Sequence, residues 1–122
     1  ISHFETNMTN KKDNKTCYVF SQVTLEIALK EWFEIMVRKN PNKKESYQIA
    51  VVALPWLLNH LEQNSPIIMF THDNLIKEME LWKSKQLSKY VNQDKRIKET
   101  CNLLMNFFDS NVVIEYKMII QA

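Results

Sequence analysis

Residues 94–108 read DKRIKETCNLLMNFF, and within them Ile97, Cys101, Leu104 and Phe108 recur at steps of four, three and four. Those steps follow the 3.6-residue period of an α-helix and gather the four side chains on one stripe. Asp94 stands where an N-cap belongs. Working outward, Leu75, Met79 and Trp82, then Leu87 and Tyr90, form a second stripe, so a helix is expected over about 73–91, capped by Thr71 or Asp73. Leu25, Ala28, Leu29, Trp32 and Met36 form a third, expected over about 23–39 and ended by Asn40-Pro41.

Asn42-Lys43-Lys44-Glu45 has the spacing of a capping box and predicts the start of the remaining helix. That helix carries a run from Ile49 to Leu58 that is apolar on every face. Such a segment is expected at the centre of the fold, surrounded by protein and bent at Pro55. Trp32, Trp56 and Trp82 all fall in apolar stripes and are read as core residues.

Three stretches are not helical in pattern. Residues 17–20 and 67–70 are short and apolar. Residues 112–120 alternate, with Val112, Ile114, Tyr116, Met118 and Ile120 on one side and Val113, Glu115, Lys117 and Ile119 on the other. The expected fold is therefore mainly α, four amphipathic helices with up to three short flanking strands. A compact α/β unit is the alternative. The polar stretch 1–16 is a lead-in, and 17–122 reads as a single globular domain of a larger protein, with no internal repeat.

The 122 residues contain no glycine, where average usage of roughly 7% would supply about eight or nine. Phosphate-cradling loops, dinucleotide fingerprints, EF-hands and nucleophile elbows all need backbone positions that only glycine occupies cheaply, so these classes are excluded. Sixteen cations against fourteen acids leave a net +2, which shows no global attraction to polyanions. The longest apolar run, ten residues, is too short to span a bilayer.

Chemistry-bearing residues are sparse. His3, His60 and His72 are scattered, and neither Cys17 nor Cys101 has a neighbour at zinc-ligand spacing, so no metal or cofactor is expected. Asp73 and Asp94, with Glu99 and Asp109 as partners, are the only material for a metal-dependent nuclease, and capping explains the first two as well. A Cys17–Cys101 bridge would suit a secreted four-helix signalling protein; buried free thiols would suit a reducing compartment. The two sequons, at Asn7 and Asn14, stand against roughly one expected by chance from this composition, and decide nothing.

The clearest local signal is basic. Lys83, Lys85, Lys89, Lys95, Arg96 and Lys98 face Asp94 alone within sixteen residues, a net +5 suited to phosphate contacts. A strand over 112–120 would present Val113, Glu115, Lys117 and Ile119 to a partner along an open edge. The leading expectation is a non-catalytic, intracellular (cytoplasmic or nuclear) protein-interaction module. Nucleic-acid binding through Lys83–Lys98 is the first alternative. The pattern points away from an enzyme and from a membrane.

Overall fold

The computed structural model describes residues 16–59 and 66–120. His3, His60, both sequon asparagines and the lead-in before Thr16 lie outside them. Strand β1 (Cys17–Ser21) runs directly into helix α1 (Gln22–Lys39), and a 3-10 turn (Pro41–Lys43) leads to α2 (Lys44–Leu58). Strand β2 (Ile67–Thr71) then runs into α3 (His72–Lys89), followed by α4 (Asp94–Phe108), the one-turn helix α5 (Asn111–Glu115) and the two-residue strand β3 (Ile119–Ile120). The mainly α expectation is met: four long helices carry a small antiparallel sheet of order β2-β1-β3. No parallel pair occurs among the described strands, so the α/β alternative falls.

Every junction follows from local chemistry. The Ser21 hydroxyl accepts from the Thr24 amide at 3.1 Å, and the Thr71 hydroxyl accepts from the Asn74 amide at 3.1 Å. Each satisfies an amide that the first helical turn leaves without a partner. Thr71, not Asp73, is thus the cap of α3, and Asp73 instead pairs with Lys77 at 3.0 Å. Asp94 is the first residue of α4 rather than its cap, where its charge suits the positive helix end. The capping box at Asn42 does not form, because the chain closes a 3-10 turn there through Lys43 N–H to Asn40 C=O at 3.1 Å, and α2 starts at Lys44.

The core lies between the inner sheet face and the helices. Tyr18, Phe70 and Phe108 meet with ring centroids 4.9 to 6.0 Å apart, and Trp32 stands edge-on to Phe107 at 5.9 Å. Leu54 and Leu104, each almost wholly buried, carry α2 and α4 into this cluster.

A repeat underlies the arrangement, contrary to the reading of the sequence. Adding 50 to the bounds of β1, α1 and α2 gives those of β2, α3 and α4. The β1–β2 register pairs Val19 with Met69, its own counterpart, and exchanges Cys17↔Thr71 with Ser21↔Ile67. A pseudo-two-fold axis therefore passes between Val19 and Met69. Few identities mark it: Phe20/Phe70, Leu25/Leu75 and Leu54/Leu104 coincide in the core, and Trp32/Trp82 coincide with only Trp32 fully buried.

The expected strand over 112–120 is the main correction to the fold. Residues 111–115 are helical, and Val112 and Val113 are both buried, which an alternating strand with one solvent face cannot achieve. Lys117, at φ 55°, reverses the chain into β3, and Asn92, at φ 69°, turns α3 into α4. In a chain without glycine these left-handed positions fall to residues with a Cβ. Lys117→Ile is expected to lower stability by about 1–2 kcal/mol, because a β-branched residue resists this conformation. Urea denaturation would read the loss, and an unchanged midpoint would contradict the strain.

Candidate functional site

In α2 the buried residues Tyr47, Ala50, Leu54, Leu57 and Leu58 keep helical spacing. That stripe leaves Val52, Pro55 and Trp56 on the other side, and all three are exposed, Val52 by 59% and Trp56 by 71%. The segment expected to be enclosed by protein is therefore open along one flank. Trp32 is 2% exposed with its indole N–H donating to Asn106 Oδ1 at 3.0 Å, and Trp82 is half-buried, so only the first tryptophan is fully a core residue.

Two surfaces meet at this exposed crest. On one side, Leu29 and Phe33 of α1 and Val51, Val52 and Pro55 of α2 line a groove of about 360 Å³, with the exposed Glu26, Lys30 and Gln48 among them. Val23 and Ile27 add exposed apolar surface on α1. On the other side, two adjoining recesses lie between α2, α3 and α4. One of about 310 Å³ is lined by Ala53, Trp56, Trp82, Lys85 and Gln86. The other, of about 360 Å³, shares Ala53, Trp82 and Gln86 and adds Tyr90, Gln93 and Arg96.

The basic window does not form a single face. Lys83 is half-buried and paired with Glu80 at 3.3 Å. Lys85 and Arg96 line the two recesses, and Lys89 places Nζ 5.4 Å from the centroid of the Tyr90 ring. Lys95 and Lys98 are exposed on α4. Of the residues expected along an open terminal edge, Val113 is fully buried, Glu115 and Lys117 are exposed on α5 and its turn, and Ile119 is half-buried beside Tyr18. They do not share a strand.

Asp73 and Asp94 are not brought together: they flank opposite ends of α3, on the order of 25 Å apart. No group of three or more His, Cys, Asp or Glu side chains able to hold a metal occurs among the described residues. His72 Nδ1 lies 2.9 Å from the Tyr18 hydroxyl, and burial raises the pKa of that phenol, helped by the charge of Asp109. Burial likewise raises the Cys101 thiol, which keeps it in the unreactive protonated form. Both cysteines are free, so the Cys17–Cys101 bridge is not formed. No helix among the described residues is long and apolar enough to cross a membrane.

No family model, curated protein or solved structure matched this chain. The functional reading rests on the surfaces alone. Trp56, Val52 and Pro55 are among the site residues that the sequence reading missed. The signal was present in the phase set by Tyr47, Ala50, Leu54 and Leu57, which puts position 56 opposite the core.

Proposed function

We propose that this chain is a non-catalytic helical module that binds another protein by receiving an amphipathic helix in the α1–α2 groove. The observation that carries it is the open flank of α2, where Val52 and Pro55 stand in solvent beside the apolar wall made by Leu29, Phe33 and Val51. Apolar surface gathered in a groove and rimmed by polar residues marks a docking site more often than scattered exposed side chains do. The groove lies between two successive helices, its lining running from Glu26 to Phe33 and from Gln48 to Pro55, about 10 Å, enough for about two turns of a partner helix. An intracellular location accompanies the proposal, supported by the two free thiols.

The test is titration with synthetic amphipathic helices whose leucines recur at i, i+3 or i+4, and i+7, against scrambled peptides of the same composition. The patterned helices are expected to bind and the scrambled ones not. Val52→Asp should weaken binding at least tenfold, about 1.4 kcal/mol, with the far-UV spectrum intact. Equal binding by Val52→Asp, or no binding by any patterned helix, refutes the proposal.

A further inference from the structure

We infer that the cleft between α2, α3 and α4 is a binding site for single-stranded nucleic acid, separate from the groove on the opposite flank of α2. The pseudo-two-fold axis supplies an internal comparison. Trp82, Lys85, Gln86 and Trp56 in this cleft are the counterparts, 50 residues away, of Trp32, Ile35, Met36 and Asn106, which line a recess in the other half.

Three exchanges between the two recesses act in one direction. Ile35 and Met36 give way to a lysine and a glutamine. Asn106, which holds the Trp32 indole N–H at 3.0 Å, gives way to Trp56, and the Trp82 indole N–H has no hydrogen-bond partner among the described residues. The first recess also includes Lys39, the counterpart of Lys89, but sets the carboxylate of Asp109 beside it, whereas no acidic residue among those described lines either part of the cleft. One half thus has a tryptophan that is held and shielded. The other has two tryptophans open to a ligand, with cations beside them.

Three aromatic rings, Trp56, Trp82 and Tyr90, lie among Lys85, Lys89 and Arg96. Aromatic faces accept unstacked bases whatever their identity, and neighbouring cations hold the phosphates between them. A paired duplex has no free base faces to offer, so the arrangement selects single strands. Gln86 and Gln93 supply amides able to meet base edges. The basic window read from the sequence contributes through Lys85, Lys89 and Arg96, with Lys95 and Lys98 exposed nearby on α4 and Lys83 engaged with Glu80.

The experiment is fluorescence anisotropy on the full chain with labelled twelve-residue oligothymidine and oligouridine, and with a twelve-pair duplex, between 50 and 200 mM salt. At least one of the two single strands is expected to bind more tightly than the duplex, with affinity falling as salt rises. Trp56→Ala, at a position too exposed to unfold the chain, should weaken binding roughly tenfold. Lys85→Glu with Arg96→Glu should weaken it further, and Val52→Asp should leave it unchanged. Duplex binding as tight as single-strand binding would overturn the inference. So would unchanged affinity in the folded Lys85→Glu/Arg96→Glu variant, or capture of a proline-rich peptide without either oligonucleotide.

Discussion

Trp32→Ala is expected to lower the unfolding free energy by about 3–5 kcal/mol, whereas Trp56→Ala changes it by no more than about 0.5 kcal/mol. The two residues are the same type and both sit on helices that the sequence marks as apolar. Their surroundings differ. Trp32 stands edge-on to Tyr47 and Phe107 and is 2% exposed, so truncation opens a cavity that these rings cannot collapse to fill. Trp56 is 71% exposed and gives up little on truncation. Urea denaturation of the two variants separates these cases, and comparable losses would mean that Trp56 is not the open residue on which the nucleic-acid reading depends.

Val113→Asp is expected to unfold the chain or to remove more than about 4 kcal/mol, because it places a carboxylate with no partner at a fully buried position. Glu115→Lys, two residues on and exposed, should stay within about 0.5 kcal/mol. The pair discriminates the observed one-turn helix from an open edge strand. In such a strand Val113 and Glu115 would share one solvent face and both substitutions would be tolerated. Circular dichroism at 222 nm with a thermal melt reads both variants, and a folded Val113→Asp protein would reject the buried placement of α5.

What could be read from residue order was the part set by local periodicity. The stripes of α1, α3 and α4 repeat at three and four residues, and those helices lie close to their expected bounds. The first two strands were readable as short apolar runs between caps, but their antiparallel pairing is a tertiary fact. Residues 112–120 misled because alternation was inferred from side-chain type, while the segment answers to two adjacent valines that both bury against its surroundings. The repeat escaped notice because its halves share spacing rather than identity: Tyr47 stands for Ile97, Leu57 for Phe107 and Ser21 for Thr71. Trp56 was misplaced because the run 49–58 was read as apolar on every face, when the phase carried on from Tyr47 through Ala50, Leu54 and Leu57 puts it opposite the core.

The duplicated strand-to-helix joint makes each half an internal control for the other. Removing the hydroxyl at Ser21 and at Thr71 would be one experiment performed twice, since each oxygen holds the amide three positions on at 3.1 Å. Any inequality between the two outcomes would then measure the neighbourhood and not the joint, a separation that comparisons between unrelated proteins seldom permit.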